Sequence, residues 1–381
     1  MGPVGNRRRI VNPFLGGLLF RLSTIAALLA CSTLAAQDSR NMILAASRSG
    51  VVELINPSTL ETVGRIHLDL GPQSAGLNGV SASADGALLY VEGPIPTEPH
   101  GCCALYSIEL ATLQMKVAAS VPGSRSRNSF VVSEGLVYGA ASLTPNGIPK
   151  DMSNDRLHLS PGGRWLFGVR SFRGPALDVY DVGRGQVVRQ LSPEGLEGDW
   201  WPTGIWSGEQ FYLYAANGQG SGRLWSVLPE TPQLGAGATV APLGRLSGCS
   251  DQSSKALAAA AGKLFIYEAF GFKVDRRNQC AGRVPGGAWE VEPATGQLIR
   301  QIAPGLHFSA LFADQAGSEL YGLSAESPNW ELPARLVRID PSDGRILQSR
   351  YLDPGFWRVA IAPLRIVPSG DVRARVLIGI R

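Results

Sequence analysis

The chain has 381 residues, 44% of them apolar and 17% charged, with 46 glycines and 26 prolines. That balance excludes a disordered or collagen-like chain and fits a turn-rich globular protein with a large core. Basic residues outnumber acidic ones by 35 to 31, but Arg7, Arg8, Arg9 and Arg21 all precede residue 37. The remainder therefore carries no net charge, which speaks against nucleic acid as a partner.

Residues 1–36 read as an export signal. The four arginines come before LSTIAALLACSTLAA, an uncharged stretch shorter than the about 20 residues that span a bilayer. Ala35 and Ala36 suit signal-peptidase cleavage. Two other fates stay open: LLAC at 28–31 resembles a bacterial lipobox that would make Cys31 a lipidated first residue, and the segment would otherwise remain as an uncleaved anchor. The run RRRIV resembles a twin-arginine motif weakly. The expected location is the periplasm or the cell exterior, with the outer membrane following from lipidation.

From residue 41 onward, short apolar runs alternate with glycine turns. SASADGALLYVEG (81–93), LSPGGRWLFGVRS (159–171) and ADQAGSELYGLSA (313–325) share one plan: a strand end, a small polar turn with glycine, then an apolar and aromatic strand. Shorter variants start at 133 and 261. Glycine stands where such turns need positive φ, so these segments are read as β-hairpins. A second device follows each first one, in INPSTLETVGRI, IELATLQMKVAASV, YDVGRGQVVRQL, VEPATGQLIRQI and IDPSDGRILQSR. Its landmarks are Asn56, Glu109, Asp181, Glu292 and Asp340, expected to bond the turn backbone and not to act as catalytic acids. SSKALAAAAGK at 253–263 is the best helical candidate, but the LFIYEA that follows favours a strand.

These landmarks imply a unit of about 45 to 55 residues with roughly four strands, the signature of a β-propeller. WSVLPETPQLG supplies a degenerate copy and SFVVSEGLVYGAAS (129–142) a short one. The expectation for residues 41–381 is an all-β propeller of seven four-stranded blades, with six or eight also fitting the spacing. WRVAIAPL near the C-terminus reads as an inner strand completed by ILAASRSGVVELI near the N-terminus. A blade shared by the N- and C-terminal strands would remove exposed sheet edges.

The repeated turn patterns S-x-D/G-G-x-x-L-Y-V and V-x-D-x-x-T-G-x-V resemble those of YVTN-type β-propellers. Length, export signal and blade pattern over 41–381 are similar to the heavy subunit of bacterial methylamine and aromatic-amine dehydrogenases. That resemblance implies a chain with no cofactor of its own, working beside a small light-chain subunit that carries a quinone. No individual functional residue carries over.

Four cysteines follow the signal: Cys102, Cys103, Cys249 and Cys280. Three connectivities are open to them. The favoured disulfide is Cys249 with Cys280, closing a loop of about 30 residues and stabilising by roughly 3 to 4 kcal/mol. Cys102 and Cys103 would then form a vicinal disulfide or stay reduced.

In a blade, the first-to-second and third-to-fourth strand turns share one edge, and the remaining connections share the other. Length accumulates on the second edge, in PIPTEPHGCC (94–103), GFKVDRRNQCAGRVPGG (271–287), ESPNWELPA (326–334) and SPEGLEGDWWP (192–202). Long loops on a rigid scaffold concentrate binding residues. The candidates are His100, the carboxylate- or phosphate-gripping group Asp275, Arg276 and Arg277, and the connecting-loop tryptophans Trp200, Trp201 and Trp330. The bland alternatives are a solvated charged loop and tryptophans packed between blades. His100 with Cys102, Cys103 and Glu98 could hold copper or zinc, but adjacent cysteines hold one metal awkwardly. No metal, cofactor or catalytic residue is assigned, since GxSxG, P-loop and HExxH motifs are missing.

The resulting expectation is an exported, non-catalytic scaffold whose long-loop face binds a protein partner or small ligand. It would meet a membrane only through a lipid anchor. The alternatives are the amine-dehydrogenase heavy subunit and a metal-dependent, lactonase-like hydrolase whose acids come from several inner strands without a local motif.

Overall fold

The computed structural model describes residues 40–70, 76–94, 102–124, 130–133, 136–139, 156–170, 176–193, 200–217, 222–228, 233–241, 254–269, 286–314, 316–324 and 332–376. Among the described residues the regular structure is all strand. The first strands are β1 (Arg40–Ser47), β2 (Val51–Ile55), β3 (Thr62–Leu68), β4 (Gly79–Ala82), β5 (Leu88–Pro94), β6 (Cys102–Glu109) and β7 (Gln114–Ser124). Next come β8 (Phe130–Ser133), β9 (Leu136–Gly139), β10 (Arg156–Leu159), β11 (Trp165–Arg170), β12 (Ala176–Asp181) and β13 (Gln186–Leu191). They continue with β14 (Trp200–Ser207), β15 (Gln210–Asn217), β16 (Gly222–Leu228), β17 (Gln233–Leu234), β18 (Ala238–Val240), β19 (Ser254–Ala260), β20 (Lys263–Ala269), β21 (Ala288–Val291) and β22 (Leu298–Ile302). The last are β23 (Phe308–Ala313), β24 (Leu320–Ser324), β25 (Arg335–Ile339), β26 (Ile346–Tyr351), β27 (Phe356–Leu364) and β28 (Gly370–Val376).

Pairing follows chain order. β4 to β7, β10 to β13, β19 to β22 and β23 to β26 each form a four-stranded antiparallel run, while β14, β15 and β16 are completed by the short β17 and β18. β8 and β9 form a hairpin. The terminal sheet has the order β27-β1-β2-β3, with Arg40 opposite Leu364 and Ala46 opposite Arg358. β28 then lies parallel to β3 over Gly370–Ala374 and to β7 over Arg375–Val376. Such repeated four-stranded sheets are consistent with a β-propeller.

Both turn devices take the local form that their chemistry dictates. In the first, the Leu88 amide donates to Ser83 Oγ at 2.9 Å, the Trp165 amide to Ser160 Oγ at 3.0 Å and the Glu319 amide to Asp314 Oδ1 at 2.9 Å. Gly86, Gly163 and Gly317 share φ values of 67°, 68° and 67°, a region that costs glycine nothing. In the second, Asn56, Asp181 and Asp340 accept from the backbone two or three residues ahead at 2.8, 2.9 and 2.8 Å. Glu292 does so at 3.4 Å, whereas Glu109 accepts from the Thr112 hydroxyl at 2.7 Å. The landmark acids therefore shape turns, as the sequence leads one to expect.

Beside these turns, the pairing of third to fourth strand slips by one residue in the same place in four sheets: Leu54/Ile55, Val179/Tyr180, Glu290/Val291 and Arg338/Ile339. A bulge there increases the twist of the outer strand. The near-continuous apolar runs have an equally direct cause, because alternate side chains of a strand enter different cores. In β1, Met42 and Leu44 pack with Leu89 and Tyr106, while Ile43 and Ala45 pack with Tyr321 and Leu323. In β20, Phe265 faces Phe308 and Ile266 faces Tyr214. The terminal sheet, the β19 to β22 sheet and the β23 to β26 sheet are each covered on both faces by neighbours, and the β23 to β26 sheet packs on the terminal one.

Polar latches cross the outer seams. Arg300 on β22 holds Glu290 at 2.7 Å and donates to the Pro341 carbonyl of the following sheet at 3.0 Å. Arg338, Gln348 and Arg350 likewise donate to the carbonyls of Ser58, Thr59 and Leu60.

Two expectations need correction. Trp200 and Trp201 are not in a connecting loop: they open β14, opposite Asn217 and Ala216. Aromatic residues favour extended, half-buried backbone, and Pro202 is tolerated because β14 is the edge strand of its sheet. Cys102 and Cys103 similarly begin β6, with Cys102 opposite Pro94 and Ser124.

Candidate functional site

The alternation of antiparallel strands assigns each connection to an edge. Segments 95–101, 270–287 and 325–334 join second to third strands, and 192–199 joins a fourth strand to the next first strand. All four therefore belong to the edge opposite the tight turns. His100, Asp275, Arg276, Arg277, Trp330, Cys249, Cys280 and Cys31 lie outside the described residues. For Cys102, Cys103, Trp200 and Trp201 the backbone is described, and it starts β6 and β14 at this same edge.

A cavity of about 280 Å³ opens there, among the inner strands β4, β23 and β27 and the strands β5 and β6 behind β4. Val80, Leu105, Ala310 and Val359 give it apolar walls, while Glu92 and Arg358 bring opposite charges to the lining. Glu92 ends up there because β5 pairs it with Gly79, the first residue of β4. Its side chain belongs to a residue only 3% exposed. A Cβ at position 79 would stand 3.4 Å from Glu92 Oε2, so the first residue of β4 lies directly against that carboxylate. The Asn78 amide donates to the Glu92 carbonyl at 2.8 Å and fixes the strand end.

Trp357 is buried beside the cavity, and two guanidinium groups lie over its ring, Arg48 at 5.2 Å and Arg358 at 4.7 Å from the centroid. This cation–π contact restrains Arg358. Burial, reinforced by the negative charge of Asp85, pushes the Tyr90 phenol above its ordinary pKa, so it remains a neutral hydroxyl. Asp85 is held ionised by the Ser83 hydroxyl and the Ala87 amide, which lower its pKa. Among the described residues, no three His, Cys, Asp or Glu side chains gather as metal ligands do.

Sequence reasoning did not single out Glu92, Arg358 or Trp357. The available signal was an acid inside the apolar run LLYVEGP, since Glu is rarely buried without a purpose. A second cleft, at the tight-turn edge, includes Asp314 and Glu319. Those two carboxylates already serve the turn and Arg338, respectively.

No family model matches the chain. No curated protein matches it either. Among solved structures, it is similar to the hydrazine synthase of Kuenenia stuttgartiensis at 13% identity and a TM-score of 0.48, over 77% of this chain and 90% of that one. It is similar to the dihydro-heme d1 dehydrogenase NirN at 13% identity and a TM-score of 0.47, over 84% of this chain and 74% of that one. For apo AztD from Citrobacter koseri the values are 14% and 0.43, over 85% of this chain and 89% of that one. At these identities the likeness concerns fold alone.

Proposed function

We propose that the chain is an exported, non-catalytic binding scaffold built as a seven-bladed ring, with its ligand site at the long-connection edge. The β8–β9 hairpin beside six larger groups of strands supports a seventh blade, and the contacts of β27 with both β23 and β4 support closure there. The observation that carries the reading is the cavity among inner strands at the edge where long connections accumulate. Rigid strands set such a cavity, and loops around it are free to vary or to meet a protein partner.

Thermal melts of the purified chain against a set of amino acids, amines, sugars and carboxylates test this reading. A compound present at about 100 times its Kd stabilises the fold by roughly 2.7 kcal/mol. Ser81→Leu, which places bulk against the cavity, should abolish that stabilisation. Full retention of binding in Ser81→Leu, or no stabilisation by any compound, would overturn the assignment of the cavity.

The turn pattern supports a second reading, the heavy subunit of a periplasmic amine dehydrogenase. It expects a small cysteine-rich chain to co-purify stoichiometrically, and a stable species of this chain alone would remove it.

A further inference from the structure

We propose that Cys102 and Cys103 are a redox-active pair, closing on each other as a vicinal disulfide at the edge where the long connections gather. The register of β6 carries the inference. Gly93 and Pro94 are neighbours on β5, yet their partners on β6 are Ala104 and Cys102. On the other side, Ala104 pairs with Ser120 and Cys102 with Ser124 of β7. Both ladders therefore pass over Cys103, which is the pattern of a β-bulge.

A regular strand sends successive side chains to opposite faces, and this keeps neighbouring thiols apart. An extra residue interrupts that alternation. The backbone of β6 thus departs from regular pairing at the residue that a bond between adjacent thiols would distort. Pro94 loosens the same place, because it has no N–H to offer Cys102 opposite it. Adjacent Cα atoms lie about 3.8 Å apart, short of the about 4.4 to 6.8 Å usual for disulfides. A bond between them is strained and more easily reduced than a structural one, which is the property of a switch and not of a staple.

Leu105 follows on the same strand, lines the cavity of about 280 Å³ and stands opposite Glu92. Closing or opening the pair therefore changes how β6 enters its ladder just ahead of a cavity wall. The chemistry is exchange with a disulfide oxidant such as oxidised glutathione. One cysteine thiolate attacks the oxidant's S–S bond, forming a mixed disulfide and releasing a thiolate. The second then displaces the other half. The pair gives up two protons and two electrons, and the oxidant leaves as two thiols.

The test equilibrates the purified chain with oxidised glutathione, blocks remaining thiols with iodoacetamide and maps peptic fragments by mass. The fragment holding Cys102 and Cys103 should be unblocked and lighter than its dithiol form by two hydrogens. Dithiothreitol should open it in the folded protein, after which it takes up two blocking groups. Amide exchange at Leu105 and Tyr106 should change on reduction, and that response should be lost in the Cys102→Ser, Cys103→Ser double variant. Should that variant fail to fold, the wild-type masses and exchange decide. The proposal is overturned if both cysteines are blocked without reduction, if they stay as mixed disulfides with glutathione, or if they are joined to the Cys249 or Cys280 fragment. It is also overturned if exchange at Leu105 and Tyr106 ignores the reductant. None of these outcomes requires a bound ligand, so the cavity's role stands or falls separately.

Discussion

Replacing Arg350 by methionine should lower the melting temperature by about 4 °C, a magnitude that follows from the seam between the β23 to β26 sheet and the terminal sheet. Glu53 stands on β2 with a fully buried side chain, and Arg350 reaches it from β26 at 2.6 Å. The same guanidinium donates to the Leu60 carbonyl at 2.7 Å and to Thr62 Oγ1 at 2.9 Å. Arg65 stands 3.7 Å from Glu53, but its closer partner is Asp353 at 3.0 Å. Removing one partner of a buried pair costs about 3 to 5 kcal/mol. The 22% exposure of the Arg350 side chain and the nearness of Arg65 favour the lower end. Unfolding entropy of about 2.1 cal/mol/K per residue, applied to the Arg40–Arg381 unit, converts each kcal/mol into about 1.4 °C. Calorimetric melts of Arg350→Met, Glu53→Gln and the double variant give the answer. The double variant should lose less than the sum of the singles by about 1 to 2 kcal/mol. An Arg350→Met protein melting within about 1 °C of wild type, or strict additivity, would refute the claim that this carboxylate depends on that guanidinium.

Leu113 occupies a left-handed turn position at φ 56° where Gly185, Gly296 and Gly344 stand in the equivalent turns. Leu113→Gly should therefore stabilise by about 0.5 to 1 kcal/mol, read as a higher urea midpoint. Gly296→Ala should destabilise by about 1 to 2 kcal/mol in the same assay, because its φ is 73° and a Cβ there would overlap the Thr239 carbonyl. Tyr106 donates to the Pro94 carbonyl, and burial pushes its phenol up to about 12. A phenol raised in the folded state contributes stability that is complete below the unfolded value of about 10 and is lost as pH climbs from there through the folded one. Melts between those pH values should fall with a slope that Tyr106→Phe reduces, and an identical slope in the variant would count against the assignment. Gly64→Ala should release β28, since a Cβ at 64 would overlap the Pro368 carbonyl beside the Gly370–Gly64 pairing. Faster hydrogen exchange at Val372 and Ala374 is the expected readout.

How far sequence alone reaches can be judged residue by residue. Ser83, Asp85 and Gly86 announce their hairpin because each has a local task that few other residues perform, and Asn56 and Asp340 do the same for theirs. Leu60 and Leu113 hide the same backbone requirement, since both hold positive φ with a side chain that normally avoids it. Leu60 offsets that strain by complete burial in the core between β2, β24 and β25. Trp200 and Trp201 are ambiguous in sequence because a Trp-Trp-Pro run carries a turn breaker beside two strand formers, and pairing with β15 decides for the strand. The opposed charges of the inner cavity had no local signature at all. Glu92 and Arg358 are 266 positions apart, and only the pairing of β4 with β5 and the return of β27 to β1 bring them to one lining.

The buried acids sort themselves by strand. Glu53, Asp178 and Glu290 all stand on third strands, and each is bound by a fourth-strand or neighbouring-sheet side chain: Arg350, Gln190 and Arg300. That recurrence ties them to the stability of outer seams, where the repeated bulge also lies. Glu92 departs from the pattern. It stands on a second strand, nearer the inner edge, and its carboxylate adjoins a glycine on the innermost strand. Glu53, Asp178 and Glu290 thus stand at or next to the third-strand bulges, toward the outer strands, whereas Glu92 lines the cavity among the inner strands.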